Sequence, residues 1–383
     1  MDRAKSGTMP MLTSHDDKRM ILLNVGPVIV PERVRNALLK PDMCHREPEF
    51  SELLSNVRRK LAQAFRCSNK YSTILLSGSG TAAVEATISS VVRDGKFLVL
   101  SNGYYGEKMA KIARLHGINT DVMDFGWGRK IIASDVDKKL KSDATIRFVG
   151  IVHTETSTAM LNHVSEIGEL AEKHDKILIT DAMASIGVED LDVKRDRIDF
   201  CIGSANKCIE GLPGCSFVSA DKSRMEELKD LPPRTSYLDL YQHYRYEEGL
   251  GERAGTPFTP PVQIIYALDE ALNLLLEETI EKRRERYANL AGTIRDGLEE
   301  LGFGLFIPRE VMCNAITSVL TRRGLPYQTL HDKLKEEGFI IYAGMGAMES
   351  KFFRIGNMGA LTLDEINRFL DSMKSIVKKL PPA

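Results

Sequence analysis

Two residues of this 383-residue chain stand where an amine-based carbonyl chemistry would need them. Asp181 follows the apolar run KILIT (176–180), and Lys207 lies in IGSANKCIEGLPG, just past a second apolar run, DFCIGS (199–204). Such runs have the composition of strands buried on both faces. In a parallel sheet the ligand crevice lies outside the carboxyl ends of the strands, so a carboxylate and an amine at two strand ends open on one crevice. Taken alone, Asp181 reads as a turn or helix-capping residue. Lys207 is harder to place on a solvated helix face, because small residues and a glycine-proline loop flank it. Desolvation near other cations would lower its pKa, as an imine-forming amine requires.

A third part lies upstream. In LLSGSGTAAVEA (75–86) an apolar strand pattern runs through small residues directly into a helical pattern. Such a junction presents free backbone N–H groups and the positive end of the helix dipole, which together hold a phosphate. Ser79, Gly80 and Thr81 are the candidate contacts. The turn is no Walker loop, since it lacks G-K-[ST], and no G-x-G-x-x-G fingerprint. A phosphate cradle, a strand-end aspartate and a strand-end lysine, in that order, are the parts that pyridoxal 5′-phosphate requires. Lysine forms a Schiff base with the aldehyde, aspartate keeps the pyridine nitrogen protonated, and the cradle anchors the tail.

The elements that must position these residues follow from periodicity. Between Tyr71 and about Ser219, strand patterns at 72–76, 96–100, 146–152, 176–180 and 199–204 alternate with helical patterns at 81–92, 106–117 and 164–175. That alternation predicts an α/β fold with a mainly parallel sheet. A Gly/Pro-rich loop, EEGLGERAGTPFTPP (247–261), then precedes a long helical pattern from Val262. KRRER (282–286) within it reads as a solvated helix face, because acidic residues interleave with it. An α+β pattern follows, with strands NAITSVL (314–320) and GFIIYAG (338–344) and a final helix opened by Thr362 and Glu365 in capping-box spacing. The expected organisation is a tail at 1–20, a large domain at 21–262 and a smaller α+β domain at 263–383.

Composition narrows the function classes. With 52 basic and 53 acidic residues and a formal net charge of -1, the chain carries no electrostatic pull toward nucleic acid or anionic lipid. The six cysteines, Cys44, Cys67, Cys201, Cys208, Cys215 and Cys313, are scattered without C-x-x-C or histidine spacing, which suggests neither a disulfide framework nor a metal site. Reduced thiols point to a cytoplasmic protein. No apolar run approaches the roughly 20 residues of a membrane helix, and the first twenty residues lack a signal-peptide core.

From LLNVGP (22–27) to FRIGNMG (353–359) the chain resembles the class V branch of fold-type I pyridoxal-phosphate aminotransferases. Within it, LLSGSGTAAVEA, VHTETSTAMLN (152–162), TDAMASIG (180–187) and SANKCIEGLPG (204–214) are similar to the 2-aminoethylphosphonate:pyruvate transaminases. The resemblance implies amino transfer from a small amine to a keto acid, with Lys207 as Schiff-base lysine and proton shuttle and Asp181 as partner of the pyridinium nitrogen. It implies that Ser79, Gly80, Thr81 and Asn206 hold the phosphate with Thr259 of the neighbouring subunit, from FTPPVQ, and hence a homodimer with shared sites. Tyr105 matches the residue that stacks on the cofactor ring, with Tyr104 as the alternative. Thr156 matches the contact to the ring's phenolic oxygen, with Ser157 and Thr158 beside it. Arg354, which without the resemblance reads as a surface arginine, matches the residue pairing with the substrate carboxylate, and the glycines of RIGNMG favour a loop there. One segment departs: CHREPEF (44–50) resembles the H-R-x-x-E-F stretch of the wider branch, so alanine or serine with glyoxylate stays in play as substrate. A lyase or desulfurase of the same fold would need a mobile nucleophilic cysteine, and Cys313 beside a strand pattern is the one available in the C-terminal region.

Overall fold

The computed structural model describes residues 20–250 and 254–379; apart from Met20, the expected N-terminal tail lies outside them. The strands, in chain order, are β1 (Ile21–Leu23), β2 (Tyr71–Ser77), β3 (Lys96–Ser101), β4 (Thr120–Asp124), β5 (Ile146–Val152), β6 (Thr154–Glu155) and β7 (Met160–Leu161). Beyond them come β8 (Ile177–Asp181), β9 (Phe200–Ser204), β10 (Cys215–Asp221), β11 (Ile316–Leu320), β12 (Phe339–Ala343) and β13 (Phe352–Gly356).

Continuous apolar runs make the central strands because both of their faces are covered. Every residue of β8, β9 and β10 is buried. They belong to a seven-stranded sheet ordered β2-β10-β9-β8-β5-β3-β4, in which β10 alone runs antiparallel to its neighbours. Helices Gly80–Val91, Tyr104–Leu115 and Val164–Lys173 connect its strands, as the alternation of periods predicted. The carboxyl ends of β2, β5, β8 and β9 therefore meet on one side of the sheet, and there the chain places Ser77, Val152, Asp181 and Ser204.

The second sheet is four-stranded, β1-β12-β13-β11. Its first strand comes from the opposite end of the chain: Ile21–Leu23 pairs in parallel with Phe339–Ile341. The N-terminal segment thus belongs with the C-terminal sheet, although the sequence order groups it with the large domain. Helices Ile280–Glu300 and Leu363–Lys378 pack on this sheet around Leu23, Ile294, Phe339, Phe353 and Phe369. The last helix opens with the expected reciprocal Thr362–Glu365 cap.

Three local expectations need correction. The helical pattern from Val262 breaks into Val262–Glu278 and Ile280–Glu300 at Thr279, whose φ is +72°. Within KRRER, Arg283 is fully buried, donating to Glu278 (2.7 Å) and to the Cys208 carbonyl (3.2 Å), and Arg286 is half-buried against Glu278 and Glu210. Partners distant in sequence, and not solvent, satisfy these two cations. Arg354 lies within β13 and is buried, so FRIG is a strand whose flanking glycines made it look like a loop.

Candidate active site

At the carboxyl edge of the large sheet lies a cavity of about 510 Å³, lined by Ser79, Gly80, Thr81, Tyr105, Thr156, Asp181, Asn206 and Lys207. Eight residues singled out from the sequence thus share one wall system. Gly26, Thr154, Met183 and Lys108 line it as well, and none of these was foreseen.

Its floor is built by the βα junction after β2. Ser79 caps the helix Gly80–Val91 with extended backbone and no side-chain cap bond, so that Ser79, Gly80 and Thr81 at the helix start line the cavity. A Cβ at Gly80 would stand 2.2 Å from the Met183 sulfur, so any side chain there would require Met183 to move. Asp181 ends β8 and is 6% exposed. Its Oδ1 accepts from the Met183 N–H at 3.0 Å. Burial raises its pKa to about 6, opposed by that hydrogen bond and by the charges of Lys207 and Lys108. Lys207 follows β9. Burial lowers its pKa to about 8, and the nearby Arg354 and Lys108 push the same way against Cys208 and Asp181. Its Nζ donates to the Val25 carbonyl. That contact comes from the segment after β1, and Gly26 is the residue that lets the lysine pass: a Cβ on it would lie 3.0 Å from Lys207 Cε.

The third wall is the N-terminus of helix Tyr104–Leu115, fixed by a carboxylate absent from the sequence reading. Glu155 is fully buried, and its oxygens accept from the N–H groups of Tyr105 (3.1 Å), Gly106 (3.2 Å) and Ser157 (3.1 Å) and from the Ser157 hydroxyl. A buried carboxylate at a helix N-terminus satisfies orphan donors and the helix dipole together. Burial raises its pKa, and those bonds oppose the rise. Gly103 makes room for it, since a Cβ there would sit 2.6 Å from Glu155 Cγ. The only foretaste in the sequence was a charged residue inside a strand-end hydroxyl run. Around the Glu155 cap the neighbouring candidates take different positions. Tyr105 lines the cavity, whereas Tyr104 stands edge-on behind it with ring centroids 5.4 Å apart. Ser157 and Thr158 turn toward the Glu155 cap, leaving Thr156 on the cavity wall.

Two further candidates stand apart. Arg354 is not on the cavity surface; its Nη1 donates to the Thr156 carbonyl (3.1 Å) and its Nε and Nη2 to the Ala343 carbonyl (3.0 and 2.9 Å), which places it directly behind Thr156. Those bonds leave two of its five N–H donors unassigned. Thr259 is exposed and lines none of this chain's own cavity. In CHREPEF, His45 stands edge-on to Phe50 while Arg46 and Glu47 are exposed, again away from the cavity.

The cavity suits a ligand with hydrogen-bonding groups and a phosphate. The hydroxyls of Thr154 and Ser204 border it, are buried, and have no partner among the described residues. Buried polar groups of native proteins are almost always paired, so these two suit a polar ligand. A cradle of helix N–H groups at one end, Asp181 and Lys207 at neighbouring strand ends and an aromatic ring between fit pyridoxal phosphate.

Residues 34–369 match the aminotransferase class-V family. The chain is a class V aminotransferase. It is 36% identical over 364 residues to a 2-aminoethylphosphonate–pyruvate transaminase of Phocaeicola vulgatus, covering 94% of this chain and 99% of that protein. The transaminase of the same description from Vibrio cholerae is also 36% identical, with 93% and 97% covered. Among solved structures, a ureidoglycine–glyoxylate aminotransferase of Bacillus subtilis superposes with a TM-score of 0.88 at 25% identity, over 98% of this chain and 95% of that one. The fold-type I architecture and the transaminase class of this enzyme follow. No helix among the described residues is long and apolar enough to cross a membrane.

Proposed function

We propose that this aminotransferase moves the amino group of 2-aminoethylphosphonate to pyruvate, giving phosphonoacetaldehyde and alanine, with pyridoxal 5′-phosphate held in the strand-end cavity. The observation that carries the reading is the convergence of Asp181 and Lys207 on one cavity floored by a phosphate-cradling helix start. The names of relatives aligned along nearly the whole chain support the choice of substrates.

When bound, the cofactor supplies an electrophilic carbonyl for the amine and a ring that accepts the electrons released at the donor carbon. The protein supplies the rest. Lys207, with a pKa near 8, keeps a useful neutral fraction at physiological pH and carries the proton between the two carbons that exchange it. Asp181 is ionised above a pH of about 6 and so holds a proton at the ring nitrogen in the neutral range. Tyr105 would hold the cofactor ring and Thr156 would meet its phenolic oxygen. Ser79, Gly80, Thr81 and Asn206 would hold the phosphate, joined by the exposed Thr259 of a second subunit in a homodimer. Arg354, behind Thr156, offers its remaining donors to the acid group of the substrate. The near balance of basic and acidic residues and the six cysteines, all of them free, support a cytoplasmic setting.

A second reading takes alanine or serine as donor and glyoxylate as acceptor, and CHREPEF favours it. A desulfurase is disfavoured, because Cys313 is fully buried and burial pushes its pKa to about 12. Comparing kcat/KM for 2-aminoethylphosphonate, alanine, serine and aspartate with pyruvate or glyoxylate decides. The phosphonate should win with pyruvate as acceptor; a preference for alanine or serine with glyoxylate overturns the proposal.

A further inference from the structure

Besides Lys207, whose amine the reaction itself uses, the cavity wall carries one cationic side chain among the described residues, Lys108. It lies in the helix Tyr104–Leu115, three positions after Tyr105, so both project from one face. Glu155 fixes the start of that helix and with it the direction of both side chains. The Lys108 ammonium stands 6.0 Å from the Tyr105 ring centroid and donates to the Thr81 hydroxyl at 2.8 Å. Among the described residues no carboxylate forms an ion pair with it. Its charge is felt at both Asp181 and Lys207, which puts it within electrostatic reach of the whole cavity.

A half-buried lysine that meets a hydroxyl in place of an acid, on the wall of a cavity whose floor is a helix start, is placed for an anion. By donating to Thr81 Oγ1 it makes that oxygen an acceptor on one side and turns the hydroxyl proton outward. One of its three donors is spent and two remain. A phosphate dianion at the first turn of Gly80–Val91 would meet helix N–H groups, the Thr81 hydroxyl and one full positive charge.

We propose that Lys108 is a phosphate-binding residue of the cofactor site, pairing with the phosphate of pyridoxal 5′-phosphate beside Thr81, while the acid group of the substrate is left to Arg354. This rests on the cavity being the cofactor site, and the test separates the two claims. Apoprotein of the wild type, Lys108→Met and Lys108→Arg is titrated with pyridoxal 5′-phosphate and, separately, with pyridoxal, which lacks the phosphate; absorbance of the lysine-bound chromophore is the readout. Lys108→Met should weaken pyridoxal 5′-phosphate by roughly 10- to 100-fold, the range of a lost charge-assisted hydrogen bond, and leave pyridoxal unchanged. Lys108→Arg should restore most of the loss, and raised ionic strength should narrow the gap between wild type and Lys108→Met. Equal weakening of both ligands overturns the proposal, because it marks general damage to the site. So does unchanged cofactor affinity with a raised KM for 2-aminoethylphosphonate, which would assign Lys108 to the substrate. If wild-type protein takes up neither ligand, the cofactor site itself is refuted.

Discussion

Replacing Gly26 by alanine tests how the N-terminal segment holds the reactive lysine. Gly26 has a φ of +108°, where a residue with a Cβ carries strain of about 1–3 kcal/mol. The added methyl would stand 3.0 Å from Lys207 Cε, 3.1 Å from Cδ and 3.3 Å from Nζ, inside the ~3.5–4.0 Å of an ordinary contact. The crowded atoms are the far end of a flexible chain, so Lys207 yields by swinging off the Val25 carbonyl. If displacement costs as little as about 1.4 kcal/mol, attachment of the cofactor to the lysine falls tenfold. Pyridoxamine 5′-phosphate, which forms no bond to Lys207, supplies the control. Gly26→Ala should weaken pyridoxal 5′-phosphate about tenfold or more in spectrophotometric titration, with pyridoxamine 5′-phosphate affinity by calorimetry unchanged. Equal loss of both ligands, or no loss of either, would refute the idea that Gly26 exists to clear the lysine's path.

Three further outcomes follow. The rate of cofactor attachment to apoprotein should climb with pH to a midpoint near 8 and level off above it, because the neutral amine reacts and burial lowers the Lys207 pKa to about 8; a rate still rising steeply beyond pH 10 would show an unshifted lysine. Arg354→Lys loses the planar fork that spans the Ala343 and Thr156 carbonyls, so the KM for pyruvate should rise roughly tenfold while cofactor affinity holds, and an unaltered KM would remove Arg354 from the substrate site. Tyr287→Phe deletes a buried hydroxyl that donates to Glu210 (2.8 Å) and accepts from the Gly359 N–H (2.9 Å); denaturant unfolding should show a loss of about 1–3 kcal/mol, and an unchanged midpoint would contradict that bridge.

The Tyr287 bridge also shows where sequence reading ends. Strand ends carrying Asp181 and Lys207 are legible because apolar runs buried on both faces have a composition of their own, and the Ser79–Thr81 cradle is legible because strand, small residues and helix are contiguous. Contacts between distant segments leave no such trace. Nothing near Ile21 announces that it pairs with Phe339, and KRRER reads as solvated until Glu210 and the Cys208 carbonyl arrive from some 75 positions upstream. The helix break at Thr279 has neither glycine nor proline to mark it. Glu155 and Lys108 escaped for a related reason: a carboxylate among hydroxyls and a lysine in an amphipathic helix are each ordinary until the fold turns one onto a helix start and the other into a cavity.

Borohydride reduction of the holoenzyme tests most directly whether Lys207 carries the cofactor. Reduction followed by proteolysis and mass spectrometry should place a phosphopyridoxyl group on Lys207 alone, in the peptide containing SANKCIEGLPG, and Lys207→Ala should yield no modified peptide. A label found on Lys108 or another lysine, or none in active wild-type enzyme, would contradict it.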